Sequence, residues 1–500
     1  MSRRTRFLLL ALLSVVFFFV YSSYLMGREV SFTTPDENVN LFYTRYVAEH
    51  NSVIYTNPVN ESLDAGIIRS RGMTYWEGKL VPNLFFGMYF VYGGFEKIFR
   101  LLHLPPSAVL YLNPLFAVLG VWLLYFLVEE VFDAKVAMVS ACLLFALPPY
   151  WYWSSLFFSN IPGVVLFLAA LLFSFKALNR ERPAWYVLAG LFFGLALFVR
   201  PDLVYLYPSV AVLMIVRWRS LRPGYLALAA LAFALSIAPL MLLNRYLYGG
   251  FLKTGQHLSL AWKGTVPPAG KKPVYLGENV ALLLSAVPLC LFSLGGFLLC
   301  LRKRKNLEYL LLLPVPIMLF AYFFLTGAPG RFNLTVHNSY VRYFIPVYAL
   351  LLPLFAIFLL RVVRNRHLVA AALVVFVALC AVTAYPGVLD TRKGAIDLAR
   401  KADTIFSQTE EYAVIYVNSL DKILFPRRQV ALYNFSEQSA ENAASTSSRL
   451  LDMGLPVYVI VERASYTNLF SRIMEKHGCI LSVVDPAQHL YAVIRAARGS

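Results

Sequence analysis

Charge is what this sequence has least of. Of its 500 residues only 14% are Asp, Glu, Lys or Arg, against 59% hydrophobic. A soluble chain of this length needs far more polar surface, so the soluble globular classes are excluded. Cysteine is scarce as well: Cys142, Cys290, Cys300, Cys380 and Cys479 are scattered, and four of them lie in apolar runs. That excludes a disulfide framework and zinc-type spacing. Phosphate-cradling P-loops and dinucleotide fingerprints are missing, so a cytoplasmic nucleotide is not the expected activated substrate.

What is present is a succession of apolar runs of about 17–25 residues, the length that a ~30 Å hydrocarbon layer demands of a helix. They fall at roughly 7–26, 83–103, 107–128, 135–151, 161–177, 184–199, 202–216, 223–244, 279–301, 307–327, 343–361 and 367–386. The expected fold is a polytopic α-helical membrane protein of about 11–13 transmembrane helices. Residues 1–386 form the membrane module. After Tyr385-Pro386-Gly387 the composition changes, and 387–500 reads as a small extracytoplasmic α/β domain. Strands are expected there at 413–417, 456–461 and 490–495, alternating with helices over 392–406 and 468–478.

The net charge of +18 does not point to nucleic acid. Residues 387–500 hold 13 Lys and Arg against 12 Asp and Glu, so the excess lies in the membrane part. Much of it sits in the connectors KALNRER, RWRSLR, RKRK and RVVRNR, which mark the cytoplasmic side. The first run follows Arg3, Arg4 and Arg6 and has no small-x-small cleavage site, so it reads as a retained anchor with a cytoplasmic N-terminus. Counting outward from the connectors places loops 27–106, 152–160, 245–278 and 328–342, the 200–202 tip and the C-terminal domain on the outer face. The parity then requires one segment not to cross. Residues 83–103, with Gly93-Gly94, Glu96, Lys97, Arg100 and His103, are expected to be re-entrant or to lie on the outer surface, which leaves about 11 crossings.

Chemistry-bearing residues collect at that face. In TTPDENVN (33–40), Thr34 is an N-cap, Pro35 the first helical residue and Glu37 the third, a capping box with Asp36 favoured by the helix dipole. Val39, Phe42, Tyr43, Tyr46 and Val47 form an apolar stripe, so 35–50 is expected to lie as an amphipathic helix on the membrane surface. A carboxylate fixed at that height can also take a proton from an incoming hydroxyl. Arg200 and Asp202 occupy the tip of an apolar hairpin, where charge is costly and reads as functional unless it is a local ion pair. Arg342 and Tyr343 enter an apolar run in HNSYVRYFIPVY, either as ligand-binding groups or as an interfacial anchor. Arg245, Lys253, His257 and His337 are further candidates for contact with an anionic substrate, a solvated loop being the alternative account of most basic residues in 245–278. Trp151-Tyr152-Trp153 reads as an interfacial aromatic belt. Sequons occur at Asn60, Asn333 and Asn434.

An N-terminal anchor, an early outer Asp-Glu, an Arg-Pro hairpin tip, a late Arg-Tyr-x-x-Pro and a C-terminal outer domain together resemble the GT-C glycosyltransferases. The branch they look most like holds the protein O-mannosyltransferases and aminoarabinose transferases. The resemblance covers about residues 1–390. It implies inverting transfer of a sugar from a polyprenyl-phosphate donor to a hydroxyl of a glycan, lipid or protein acceptor outside the cytoplasm, with the cell membrane as location. It also implies Asp36 as base with Glu37 as its partner, and Arg200, Arg342 and Tyr343 at the donor phosphate. Arg200-Pro201-Asp202 replaces the Lys-Gly-Pro often found in aminoarabinose transferases, so donor identity does not carry over. Some members of the wider superfamily use a divalent ion such as Mg or Mn, and the resemblance leaves that open. A transporter or flippase of lipid-linked sugars is the alternative. It would place its charges near the midplane and often in repeated halves, neither of which the sequence shows.

Overall fold

The computed structural model describes residues 2–25, 32–83, 85–255, 290–303, 306–313 and 341–496. The chain divides into two compact units, one of 1–26, 85–253 and 259–390, the other of 27–84, 254–258 and 391–500.

The first unit is helical. Among the described residues six helices are long and apolar enough to cross a membrane: Arg3–Ser22, Pro106–Val131, Asn160–Arg180, Pro223–Tyr248, Val341–Val362 and His367–Ser407. A seventh is formed if Ala134–Ala146 and Pro148–Ser154, bent by 58°, count as one span. The bend falls at Leu147-Pro148-Pro149, where proline removes backbone donors. Pro183–Val199 and Pro201–Val216 are shorter apolar helices on either side of the Arg200 tip. Of the expected run at 279–301 the described part is the helix Cys290–Lys303, and most of 307–327 lies outside the described residues. Residues 83–103 supply a helix only from Gly87 to Leu101. Its 15 residues reach about 22 Å, well short of the hydrocarbon thickness.

Close contacts knit the bundle. Gly190 and Gly194 let the helix Pro183–Val199 meet Pro223–Tyr248 backbone to backbone, since a Cβ at Gly190 would stand 2.0 Å from the Ala229 carbonyl oxygen. The anchor helix Arg3–Ser22 is fastened by Phe17 stacked on Phe145 at 4.9 Å and by Tyr21 OH donating to the Phe145 carbonyl. Trp122 Nε1 donates to Ser14 Oγ at 2.9 Å.

The second unit is an α/β body. Its main sheet runs β4(Gln429–Leu432)-β3(Val414–Val417)-β5(Val457–Ile460)-β7(Leu490–Arg495)-β6(Cys479–Asp485). β3 is parallel to β4 and β5, whereas β7 is antiparallel to both of its neighbours. β3 and β5 are buried at every position, which is why VIYV and VYVI are unbroken apolar runs. A separate hairpin pairs β1(Met73–Trp76) with β2(Lys79–Pro82).

The first loop is stitched into this body. Ile68 bridges Ala431 of β4, and Arg69 N donates to the Val430 carbonyl. Asp421 is fully buried and accepts from Ser70 Oγ, from Arg71 N and from the Arg71 guanidinium, at 2.7–2.9 Å. Asn60, one of the three sequon asparagines, is also buried, with its amide exchanging hydrogen bonds with the Ile68 backbone. That side chain is spent on the fold and is closed to modification in the folded protein.

Asp421→Asn keeps the shape but removes the charge and turns one acceptor into a donor. The expected loss is about 1–3 kcal/mol of stability, read as a lower unfolding temperature and faster proteolysis between residues 64 and 83.

Candidate active site

Each unit holds its own group of candidate residues. In the α/β body Thr34 caps the helix start as its sequence dictates. Thr34 Oγ1 accepts from Glu37 N at 3.2 Å and donates to Glu37 Oε2 at 3.1 Å, and Pro35 opens the helix Pro35–His50. Glu37 is fully buried, while Asp36 beside it is half-buried. One carboxylate is therefore structural in placement and the other is reachable from solvent.

The helix is not simply an amphipathic float. Val39, Tyr43 and Val47 are buried inside the body, with Val39 pressed on Gly72. The expected lipid-facing stripe is thus largely internal. The face made by Asn38, Leu41, Phe42, Arg45, Tyr46 and Glu49 instead walls a groove of about 340 Å³ against Lys422, Phe425 and Arg427. Asn38 Nδ2 donates to the Phe425 carbonyl at 2.8 Å, and the Phe42 and Phe425 rings meet at 4.9 Å. At 3.6 residues per turn, Asp36 lies roughly on the opposite side of the helix from this groove. Sequence reasoning had no signal for the groove, because half of it comes from residues almost four hundred positions away.

In the membrane unit the structure brings together four of the expected residues. Arg200 is 4% exposed and donates through Nε (3.0 Å) and Nη2 (2.7 Å) to one oxygen, Oδ2, of Asp202. Its guanidinium also lies 5.0 Å from the centre of the Tyr343 ring. Arg342 approaches the same ring at 5.2 Å, so the two cations share one aromatic side chain. Phe158 at 4.7 Å and Trp153 at 5.4 Å also flank Arg342, whose Nη2 donates to Tyr343 OH at 3.3 Å. Ring faces carry negative charge density and hold such cations in apolar surroundings. Among the described residues Asp202 Oδ1 and Trp153 Nε1 are buried without a hydrogen-bond partner.

Local structure explains the convergence. Asn113 Nδ2 donates to the Leu156 and Phe158 carbonyls and Asn113 Oδ1 accepts from Tyr92 OH, which pins loop 155–159. Asn160 Nδ2 donates to the Arg342 carbonyl at 3.3 Å. Gly163 gives Arg200 its seat: a Cβ there would come within 3.0 Å of Arg200 Cβ. Trp151 and Trp153 are accordingly buried parts of the bundle and not the interfacial belt that their spacing suggested. Trp153, Phe158 and Asn160 are the members that sequence reasoning missed; a Trp-rich run beside an expected outer loop was the available signal.

Arg245 is exposed and stacks on Phe251 at 5.1 Å, and Lys253 is exposed as well. Neither has a contact with the Arg200–Arg342 cluster among the described residues. His257 and His337 lie outside the described residues.

Residues 90–242 match the family described as dolichyl-phosphate-mannose-protein mannosyltransferase. That stretch includes Arg200 and Asp202 but neither the Asp36-Glu37 pair nor Arg342. No curated protein matches the chain by sequence. Among solved structures, ArnT from Cupriavidus metallidurans bound to undecaprenyl phosphate is similar with a TM-score of 0.66, at 14% identity over 99% of either chain. The archaeal oligosaccharyltransferase AglB from Archaeoglobus fulgidus, in complex with an inhibitory peptide and a dolichol-phosphate, is similar with a TM-score of 0.51 at 15% identity. That likeness covers 98% of this chain and 75% of AglB. The fold is the GT-C fold in its ArnT-like form, and the resemblance read from the sequence is borne out at that level.

The cap geometry makes a prediction separable from any catalytic role. Thr34→Ala removes the cap at a cost of about 1 kcal/mol. Amide exchange at residues 36–40 is expected to quicken about fivefold by mass spectrometry, whereas Asp36→Asn leaves it within about twofold.

Proposed function

We propose that the chain is an inverting glycosyltransferase that moves a sugar from a polyprenyl-phosphate donor to a hydroxyl acceptor on the extracytoplasmic side of the membrane. The observation that carries this reading is the pair of guanidiniums, buried Arg200 and half-buried Arg342, on one tyrosine in a GT-C bundle. A partly buried, aromatic-lined setting with two guanidiniums suits a lipid phosphodiester. The undecaprenyl phosphate and dolichol-phosphate held by the two similar structures support that donor class.

Asp36 takes the proton of the acceptor hydroxyl. The freed oxygen forms its bond to the anomeric carbon as the bond from that carbon to the phosphate oxygen breaks. Polyprenyl phosphate leaves as a dianion, on which charge develops. Arg342 and Arg200 stabilise that charge, with Arg200 Nη1 free of partners among the described residues. Asp202 holds the Arg200 fork in place, and Glu37 holds the helix start that presents Asp36. A divalent ion needs several oxygen ligands. Among the described residues no group of three or more His, Cys, Asp or Glu is placed to hold one. A protein-only Mg or Mn site therefore does not fit these residues, and the scheme takes no step from a metal. The N-terminus is assigned to the cytoplasm and the α/β body to the outer side.

The test uses purified protein, a panel of polyprenyl-phosphate sugars and candidate acceptors, with release of free polyprenyl phosphate as readout. Wild type is expected to release it, and Asp36→Asn to lose at least ~10²-fold in rate. Equal release by both would remove Asp36 from the chemistry. Donor movement across vesicles without release would instead establish a transporter. Arg342→Gln is expected to weaken binding of polyprenyl phosphate by about tenfold to a hundredfold, in proportion to a lost charge-assisted hydrogen bond. Unchanged binding would take Arg342 out of the phosphate site.

A further inference from the structure

The membrane unit has a second polar concavity, made of elements remote in sequence from the Arg200 cluster. It encloses about 1010 Å³ and is formed where the connector after Val131, the end of the helix Cys290–Lys303 and the connector 363–369 come together. Four cations line it: Lys135, Lys303, Arg361 and Arg364. None of the four has an ion-pair partner among the described residues. Asp133 is the acidic residue in the wall, and its carboxylate is occupied in capping the next helix, accepting from Lys135 N and Val136 N.

The contrast with other basic connectors is informative. Arg180 pairs with Glu130 at 2.8 Å, Arg217 with Glu308 at 2.7 Å and Arg222 with Glu181 at 2.7 Å. Connector cations in this protein can therefore acquire internal carboxylates, and the four in the concavity have not. The rest of the lining is largely apolar, including Leu360 and Val363 at the end of a membrane helix. Cations beside apolar wall, at the level where helices leave the membrane, match a phosphate group attached to acyl chains better than a free anion.

We propose that this concavity binds the headgroup of an anionic membrane phospholipid, with Lys303, Arg361 and Arg364 on the phosphate and the acyl chains along Leu360 and Val363. Each cation near an anionic headgroup contributes about 1 kcal/mol, close to a fivefold change in binding. The site is independent of the glycosyl-transfer reading and stands or falls separately.

The test is native mass spectrometry of the full-length protein in detergent, titrated with phosphatidylglycerol or phosphatidylcholine. Wild type is expected to retain phosphatidylglycerol at least ~10-fold better. Lys303→Gln/Arg361→Gln/Arg364→Gln is expected to abolish that preference. Arg364→Gln alone, an exposed substitution that leaves the packing intact, should reduce it about fivefold. Arg180→Gln/Arg219→Gln/Arg222→Gln, of equal charge change elsewhere, should leave it intact. No preference in wild type, an equal loss in the control variant, or full displacement of phosphatidylglycerol by glycerol phosphate would each overturn the assignment.

Discussion

A guanidinium cannot sit dry in an apolar bundle without partners, and much of the membrane unit is arranged to supply them. Arg200 and Arg342 lie 142 positions apart in the sequence, and one carboxylate and three aromatic rings stand beside them. The desolvation cost of buried Arg200 is offset by its hydrogen-bonded pair with Asp202, and ring faces stand beside half-buried Arg342. The bend after Leu147, the glycine at 163 and the asparagines at 113 and 160 make sense as means of bringing those rings to those charges. The result is a compact pair of guanidiniums about one tyrosine ring.

The helical part of the fold was legible because a membrane imposes one strong rule, a long apolar run per crossing. Arg3–Ser22, Asn160–Arg180, Pro223–Tyr248 and Val341–Val362 fall within a few residues of the apolar runs that announce them. In the α/β body the three most apolar strands were equally plain. β4 and β6 were not, since QVAL is short and CILSVVD is half exposed, and neither has a period that separates it from a loop. The hairpin of β1 and β2 carries its turn signal in Glu77-Gly78, too little to stand out in a long loop.

The site was legible in its charges and illegible in its company. Asp36, Glu37, Arg200 and Arg342 are conspicuous because ionisable residues are rare and costly at the edge of apolar runs. Trp153 stood out only as part of an aromatic run and Phe158 not at all, as aromatic residues make up 15% of the chain. Their part in the site depends on a bend that only packing reveals. The stripe Val39–Val47 shows the converse. Its periodicity correctly gave a helix with a buried face, but periodicity does not say whether lipid or protein does the burying.

The stitching of the first loop to the last domain also orders events in time. Asn38 finds the Phe425 carbonyl across 387 positions, and Arg71 reaches Asp421 across 350. A nascent chain threading into the membrane has made Asp36 long before it has made residue 425. Until synthesis is nearly complete, the acidic helix lacks the β-sheet body into which it packs. The growing chain must therefore carry an unfinished first loop through almost the whole of its assembly, and maturation of the acid pair is coupled to the arrival of the final hundred residues.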